Sequence, residues 1–249
     1  MNYSDKLNKY RNIRTEFEKK LSALKDSHGK EVRFFPYLIM HNLYYLDELL
    51  KPFGFCAEDI LTQDSINDIG GADGDIAFYC EYLGAKTVNM VDYSPSNYNK
   101  LEGAIRIKEI LKSNVNIIST NLDTQTGWEA VEKTEYSLFL NTLYHIQNPI
   151  FVVTKLANIS KYAIMSSKVF DLLGEIDVSE KSIAYFYQIA ECNNDSTNWW
   201  CYTDSCLKTI ANRGGWEVLS YYRNSTAKAD PVDMTRDGRG YMYLKRKNP

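Results

Sequence analysis

The spacing of apolar residues divides the chain into a helical N-terminal part and a longer part in which strands and helices alternate. Apolar residues recur every three or four positions over Lys6–Lys25 and again over Tyr37–Leu50, which predicts two amphipathic helices. Gly29 interrupts the pattern between them, and the run from Pro52 to Gly54 ends it. We therefore expect residues 1–60 to form an N-terminal helical cap.

From residue 61 to residue 249, short β-type runs alternate with helical patterns, which is typical of a parallel sheet with helices on its faces. The predicted strands are Ser65–Ile69, Thr87–Val91, Val115–Ser119, Tyr136–Leu140, Tyr162–Ser166, Trp216–Tyr222 and Tyr241–Lys245. The predicted helices are Asp75–Leu83, Tyr98–Leu111, Thr126–Val131, Ile150–Ala157 and Asp204–Asn212. No helix separates the last two strands, so we expect them to form an antiparallel hairpin at the edge of an α/β fold.

The segment 171–203 is an insertion between the fifth predicted strand and the helix after it. It is longer than most connections in compact domains, and such segments often act as lids over a pocket. We expect Glu191 and Asn194 to bind a polar acceptor molecule there, with Trp199 and Trp200 as a wall. The alternative is a plain solvated loop.

Composition narrows the expected partners. The chain has 29 Lys and Arg against 32 Asp and Glu, and this balance favours a small-molecule partner over a nucleic acid, for which a basic groove would be needed. Five cysteines without paired short spacing and only three histidines predict neither disulfides nor a metal site. The chain starts with polar residues and has no run of the ~20 apolar residues that a membrane span needs. We expect a cytoplasmic protein without membrane contact, and nothing in the composition predicts its oligomeric state.

A glycine-rich turn follows the first predicted strand. Asp68–Gly74 reads Asp-Ile-Gly-Gly-Ala-Asp-Gly, and Ala72 takes a place where glycine is common. Gly70, Gly71 and Gly74 lack the Cβ atom that would keep a ligand away from the backbone. We expect a nucleotide-bearing ligand at this turn, because such sheets bind cofactors at the carboxyl ends of their strands.

Carboxylates around this turn indicate the type of ligand. Asp68 ends the strand, and Asp73 and Asp75 flank Gly74. A pyrophosphate at the start of the helix would be repelled by these acids. A ligand with an ammonium and a sulfonium group suits them, which predicts S-adenosylmethionine as the cofactor.

Residues after the next two strands complete the predicted cofactor site. Asp92, followed by Tyr93, ends the second strand about 20 residues past the loop, where a carboxylate accepts hydrogen bonds from ribose hydroxyls. Asn121 and Asp123 follow the third strand and offer polar groups to the adenine amine, while Leu122 flanks its ring. The alternative for Asp92 is a cap of the helix that comes next.

These residues resemble class I S-adenosylmethionine-dependent methyltransferases over Ser65 to Lys245. The run Asn141–Pro149, Asn-Thr-Leu-Tyr-His-Ile-Gln-Asn-Pro, is similar to a leucine-tyrosine-histidine-x-x-x-proline stretch of the tRNA wobble-uridine carboxymethyltransferase-like group. The run from Asn198 to Trp200 resembles the late tryptophan-bearing segment of such proteins. The resemblance implies a Rossmann-like, seven-stranded sheet, S-adenosylmethionine as donor and in-line methyl transfer. We place Asn141 in the cofactor site.

The resemblance does not identify the acceptor. Residues 141–144 read Asn-Thr-Leu-Tyr instead of the Asn/Asp-Pro-Pro-Tyr/Phe of many base-amine methyltransferases, which disfavours transfer to an exocyclic base nitrogen. We expect O-methylation of a small or sugar-like molecule. The alternatives are a tRNA wobble-uridine-type modification enzyme and a non-catalytic binding protein with a methyltransferase fold.

Five side chains outside the insertion are further candidates for contact with the acceptor. His145 follows the fourth strand and is either a general base or a structural histidine. Its neighbour Tyr144 packs over the cofactor or touches the acceptor. His41 and Tyr37 reach the acceptor if the N-terminal helix folds over the pocket, and Arg239 either binds an anionic group or belongs to a charged hairpin tip.

Overall fold

The computed structural model of the chain describes residues 2–225 and 228–247, and these form eleven strands and seven α-helices. The strands are β1 (Ser65–Ile69), β2 (Thr87–Asp92), β3 (Asn116–Ser119), β4 (Thr134–Phe139), β5 (Ser160–Lys168), β6 (Leu172–Leu173), β7 (Ile176–Asp177), β8 (Ala184–Phe186), β9 (Trp200–Tyr202), β10 (Trp216–Asn224) and β11 (Arg239–Arg246). The helices are α1 (Tyr3–His28), α2 (Asn42–Leu50), α3 (Ala57–Leu61), α4 (Asp75–Tyr82), α5 (Glu102–Leu111), α6 (Pro149–Ile159) and α7 (Asp204–Arg213).

Seven strands form one sheet in the order β10-β11-β5-β4-β1-β2-β3. Strands β1 to β5 are parallel, whereas β11 is antiparallel to both β5 and β10. The direction of winding changes between β1 and β4, and the loops after those strands therefore diverge and leave a crevice. The predicted α/β fold with an antiparallel edge hairpin is confirmed.

The N-terminal helices pack against one face of this sheet. Phe17 of α1, Leu43 and Leu46 of α2, and Ile60 of α3 belong to the same apolar cluster as Ile66 of β1. The predicted helical segment is therefore present, and it shares one core with the sheet across the predicted boundary at residue 60.

A buried ion network fixes these helices to one another. The Arg14 guanidinium is fully buried and lies 3.2 Å from Asp47 Oδ2 and 2.9 Å from Glu58 Oε1. The Tyr79 hydroxyl of α4 also donates to Glu58, at 3.0 Å. Removal of one partner would leave an unpaired buried charge, so the network strongly constrains how α1, α2 and α3 dock.

Helices α6 and α7 cover the other face of the sheet. The largest fully buried side chain there, Trp216, donates its indole N–H to the carbonyl of Val153 at 3.0 Å. The two faces together bury the sheet, which explains why its central strands lack the alternation of polar and apolar residues.

Two helices begin later than their apolar patterns predict. The helix expected from Tyr37 begins at Asn42, after a short 3-10 turn over Ile39–His41. The helix expected from Tyr98 begins at Glu102, because the Asn97 side chain accepts hydrogen bonds from two backbone N–H groups of the turn before it. The short helix expected over Thr126–Val131 is a 3-10 helix, Thr126–Ala130.

The insertion 171–203 is ordered into two small hairpins, β6–β7 and β8–β9, which the sequence pattern did not predict. It has its own apolar cluster, which includes Phe170, Tyr187, Cys192 and Cys201. The Phe170 N–H donates to the Tyr202 carbonyl at 2.9 Å, so the insertion is joined to the end of β5.

No helix within residues 2–225 and 228–247 is long and apolar enough to cross a membrane.

Candidate active site

The loop Asp68–Gly74 connects β1 to α4 beside the crevice. Gly70 and Gly74 have φ values of 75° and 81°, in the left-handed region that favours glycine, and Ala72 has a φ of 55°. A Cβ atom on Gly70 would lie 2.0 Å from Oγ1 of Thr142. The turn therefore requires glycine at position 70, and the loop after β4 packs directly on it.

Lys25 of α1 neutralises two of the three carboxylates around this loop. Its ammonium lies 3.0 Å from Asp73 Oδ2 and 2.7 Å from Asp75 Oδ1. Asp73 also accepts hydrogen bonds from the backbone N–H of Phe35 and the side chain of Asn99. The interpretation that these two acids face a cationic ligand is wrong, because Lys25 is the counter-charge that the buried carboxylates need. They bind the N-terminal segment to the loop instead.

Asp68 is the carboxylate of this loop that has no basic partner among the described residues. It lies at the end of β1 and is 4% exposed. Burial raises its pKa to about 7, and a hydrogen bond with the Ala77 backbone offsets part of this shift. A Cβ on Gly71 would lie 3.1 Å from Asp68 Oδ2, so the glycine keeps the space beside this carboxylate open. Asp68 is therefore an acid that ionises near neutral pH, and its ionised form could pair with an ammonium group.

Asp92 ends β2 and accepts three hydrogen bonds from the protein. Its Oδ2 accepts from the backbone N–H of Ala72 and the side chain of Asn97, both at 3.0 Å, and its Oδ1 accepts from the N–H of Tyr93 at 2.6 Å. A carboxylate has about four acceptor positions, so one remains for a ribose hydroxyl. The ribose role of Asp92 stays a prediction, as does the cofactor contact of Tyr93.

The residues after β3 are joined to the loop after β4. Asp123 accepts hydrogen bonds from the backbone N–H groups of Gln147 and Asn148, at 3.0 and 2.7 Å. The Asn121 side chain accepts from the Asp123 N–H, and Leu122 is 6% exposed. Asp123 therefore positions the polypeptide on the far side of the crevice. The predicted contacts of these three residues with adenine remain predictions.

Asn141 connects the end of β4 to three other elements. Its backbone N–H donates to Ser166 Oγ of β5 at 2.8 Å, and its side chain donates to Asn42 Oδ1 of α2 at 2.8 Å. The Tyr241 hydroxyl of β11 donates to the same Asn42 oxygen at 2.9 Å. This network places α2 over the carboxyl ends of β4, β5 and β11.

The two acceptor candidates of the N-terminal segment differ in their surroundings. The His41 ring lies 5.3 Å from Tyr44 and 5.4 Å from Tyr45, and Tyr45 lies 5.3 Å from Tyr241. His41 is therefore connected through aromatic contacts to the network around Asn141. Tyr37 is 70% exposed and lies in the turn before α2.

His145 is held in one orientation by the insertion. Its Nδ1 lies 3.1 Å from the Thr197 carbonyl and 2.9 Å from Thr197 Oγ1, while that hydroxyl donates to Asp195 Oδ1 at 2.7 Å. Since the hydroxyl proton points to Asp195, the imidazole proton resides on Nδ1, and Nε2 carries the lone pair. Burial lowers the pKa of His145, partly offset by Asp195 and Thr197, so the ring is neutral at pH 7.

Tyr144 lies close to both His145 and Arg239. Its ring centroid is 4.2 Å from that of His145, and the Arg239 guanidinium lies 5.3 Å from the same ring. The Tyr144 carbonyl accepts from the N–H of Trp199 at 2.8 Å. Three predicted residues that are distant in the sequence, Tyr144, Trp199 and Arg239, therefore meet beside His145.

The other predicted residues of the insertion lie elsewhere. Glu191 accepts from the Tyr185 hydroxyl at 2.7 Å and from a backbone N–H, which stabilises the insertion itself. Asn194 is exposed in a left-handed conformation, with φ of 55°. Trp200 packs 4.8 Å from Phe186 and lines a cleft of about 350 Å³ beside Ile150. The structure does not bring these three predicted residues to His145.

Several residues of the site were missed by sequence reasoning. Thr197 and Lys25 have no local signal in the sequence. Thr197 contacts His145, 52 residues away, and Lys25 contacts Asp73, 48 residues away. Lys168 does have a local signal, since it is a charged residue at the carboxyl end of β5, the edge where such a sheet binds ligands.

Solved structures share this fold. The N-terminal domain of EvdMO1, solved with S-adenosylhomocysteine bound, has a TM-score of 0.59 and 14% identity over 94% of this chain and 97% of that chain. An S-adenosylmethionine-dependent methyltransferase from Clostridium acetobutylicum ATCC 824 has a TM-score of 0.55 and 10% identity over 91% of this chain and 99% of that chain. The [4+2]-cyclase SpnF has a TM-score of 0.55 and 8% identity over 78% of this chain and 83% of that chain.

No protein-family model and no curated protein sequence matches the chain. At 8–14% identity the structural neighbours show a common fold and no more, and none supports the more specific resemblance to the tRNA wobble-uridine group. The presence of a cyclase among them shows that this fold does not by itself determine the reaction. The chain has the Rossmann-like fold of class I S-adenosylmethionine-dependent methyltransferases.

Proposed function

We propose that the chain is an S-adenosylmethionine-dependent methyltransferase that acts on an oxygen atom of a small molecule. His145 is the observation that carries the proposal, because Thr197 holds its Nδ1 and leaves the lone pair of Nε2 for a substrate. Methylation of a hydroxyl requires removal of its proton, and a neutral imidazole is suited to accept it at pH 7. His145 follows β4 in the same loop as Thr142, which packs on Gly70 of the cofactor loop.

The proposed cofactor fits the residues around the β1–α4 loop. S-adenosylmethionine would supply an electrophilic methyl group bonded to a sulfonium. Asp68 would bind the ammonium, the remaining acceptor position of Asp92 would bind a ribose hydroxyl, and Leu122 would cover the adenine ring. A relative supports this assignment, since the EvdMO1 domain was solved with S-adenosylhomocysteine bound.

His145 would take the proton of the acceptor hydroxyl on Nε2. The Thr197 oxygens keep the imidazole in the required tautomer, and the Asp195 carboxylate stabilises the imidazolium that forms. The Tyr144 ring packs against the imidazole, with the two ring centroids 4.2 Å apart. These three residues therefore position the base.

A small acceptor is consistent with the surroundings of His145. Helix α2 and the insertion both cover the carboxyl end of the sheet, through Asn42 and Thr197 respectively. The EvdMO1 domain was also solved in the presence of S-adenosylhomocysteine and D-fucose, which supports a sugar-like acceptor as one class to test.

The proposal is tested with His145→Asn and a matched control, His28→Asn, which alters a histidine of α1 that contacts Glu31. Methyl transfer from labelled S-adenosylmethionine to a library of hydroxyl compounds is measured, together with S-adenosylhomocysteine affinity. We expect His145→Asn to lower kcat by about 10²–10⁴-fold and to leave the affinity unchanged. The control should match the wild type. Wild-type kcat in His145→Asn would contradict the role of the base.

A further inference from the structure

Two cations lie together on the acceptor side of the candidate site. Lys168 ends β5 and Arg239 begins β11, and the two residues are paired in the sheet register. Asp237 Oδ1 lies 2.9 Å from Arg239 Nη1 and 3.5 Å from Lys168 Nζ. Lys168 also donates to Cys192 Sγ at 2.9 Å. Asp237, whose side chain is 38% exposed, therefore contacts both positive charges.

Within residues 2–225 and 228–247, only Nη1 of the Arg239 guanidinium donates hydrogen bonds. Its Nη1 donates to Asp237 and, at 3.4 Å, to the Gly238 carbonyl. Its Nε and Nη2 donate to nothing within residues 2–225 and 228–247, and the side chain is 20% exposed. A guanidinium presents five N–H donors in a rigid fork that matches the two oxygens of a carboxylate. The unused edge of Arg239 is therefore available to an oxyanion.

Arg239 and His145 both lie close to the same aromatic ring. The guanidinium lies 5.3 Å from the Tyr144 ring, and the Tyr144 centroid lies 4.2 Å from that of His145. The other nearby carboxylate, Asp195, is bound by the backbone and hydroxyl of Thr197. A small molecule bound beside Tyr144 could therefore place an anionic group at Arg239 and a hydroxyl at His145.

We propose that the methyl acceptor is a small hydroxy acid whose carboxylate is bound by Arg239. The reacting hydroxyl in this proposal depends on the proposed methyl transfer, whereas the anion site at Arg239 does not depend on it. The acceptor oxygen gives its proton to His145 and forms the bond to the methyl carbon. The bond from that carbon to sulfur breaks with its electron pair passing to sulfur, and the carboxylate is unchanged.

The test is binding of matched pairs of compounds by calorimetry, with and without S-adenosylhomocysteine. The pairs are glycolate and glycolamide, hydroxybenzoate and hydroxybenzamide, and glucuronate and glucuronamide. The variants are Arg239→Gln, Arg239→Lys and Asp237→Asn. Arg236→Gln is the matched control, because Arg236 belongs to the same connection but pairs with Asp233.

We expect at least one acid to bind about tenfold or more tightly than its amide. Arg239→Gln should abolish this preference, and Arg239→Lys should retain part of it, since lysine keeps the charge but loses the fork. Asp237→Asn should tighten acid binding about threefold, because it removes the competing carboxylate. The control should behave as the wild type.

A purely structural ion network predicts a different pattern. In that case Arg239→Gln and Asp237→Asn would weaken acid and amide alike, or change neither. Either result overturns the inference, and so does the failure of every acid to bind at millimolar concentration. Failure of the wild type to bind S-adenosylhomocysteine overturns the proposed function separately, because anion binding is also measured without that ligand.

Discussion

The two halves of the candidate site are built in different ways. The cofactor half consists of the ends of β1, β2 and β3, because Asp68 and Asp92 lie in the last residues of β1 and β2 and Asp123 lies in the turn after β3. The acceptor half joins His145 to Thr197, 52 residues away, and Tyr144 to Arg239 of β11. A site made of successive strand ends is visible in the local sequence pattern, whereas a site made by an insertion and an antiparallel strand requires the tertiary structure.

The halves also differ in charge. Buried carboxylates surround the cofactor loop and are countered from the N-terminal helix by Lys25, which leaves Asp68 as the acid for a cationic group. The acceptor half has two cations, Lys168 and Arg239, around Asp237. This arrangement suits a positively charged donor on one side and an anionic acceptor on the other. The following variants perturb one half at a time.

The largest effect is expected from Gly70→Val. The new side chain would collide with Thr142, and a β-branched residue would be forced to a φ of 75°. Cofactor binding should therefore be lost, and the free energy of unfolding should fall by about 3 kcal/mol. Gly84→Val is the matched control, since Gly84 has a φ of 102° but open space around it. Calorimetry with S-adenosylhomocysteine and urea unfolding measure both effects. Equal loss of binding in both variants would refute the packing argument.

Lys25→Met tests the coupling of the N-terminal helix to the cofactor loop. It leaves Asp73 and Asp75 unpaired and should lower the free energy of unfolding by about 3 kcal/mol near pH 7. The loss should shrink as the pH falls, because burial raises the pKa of Asp75 and the unpaired carboxyl then becomes neutral by protonation. Lys20→Met, at an exposed position of α1, is the control. A penalty that does not depend on pH would show that lost packing, not charge, is responsible.

Cofactor affinity should depend on the ionisation of Asp68. Burial raises its pKa to about 7, so the carboxylate that we propose for the ammonium is ionised above pH 7 and becomes neutral below it. S-adenosylhomocysteine should therefore bind about tenfold more weakly at about pH 6 than at about pH 8. Asp68→Asn should bind weakly at both pH values. A pH dependence that persists in this variant would assign the titration to another group.

The smallest effect is expected from the residues that orient His145. Thr197→Val should lower kcat about fivefold to tenfold by removing the hydroxyl bound to the imidazole. Asp195 raises the pKa of His145, so Asp195→Asn should move the acid limb of the kcat profile to lower pH. Ser196→Ala, between them and exposed, is the control. Lower activity with an unmoved acid limb would indicate a merely structural role.

Much of the fold could be predicted because the seven strands of the sheet follow a plain apolar pattern. The order of α/β units then fixes where the strand ends meet. The late starts of α2 and α5 could not be predicted from apolar spacing. A 3-10 turn at Ile39–His41 precedes α2, and backbone N–H groups donate to the Asn97 side chain before α5. The strands of the insertion were missed because each is only two or three residues long.

The candidate site was predicted in part for related reasons. The glycine turn at Gly70 and the position of Asp68 follow from residues adjacent in sequence. The role of the Asp73 carboxylate could not be predicted, because its counter-charge is Lys25 of α1. In the sequence, Asp68, Asp73 and Asp75 stand close together and look like one acidic group. The structure separates them, because the partner of each buried carboxylate depends on which helix packs over it.

Titration of the wild-type chain with S-adenosylhomocysteine tests the central claim most directly. The account predicts saturable binding of one molecule per chain with micromolar affinity, competition by S-adenosylmethionine, and weaker binding below pH 7. Absence of saturable binding up to millimolar concentration, in protein shown to be folded, would contradict it.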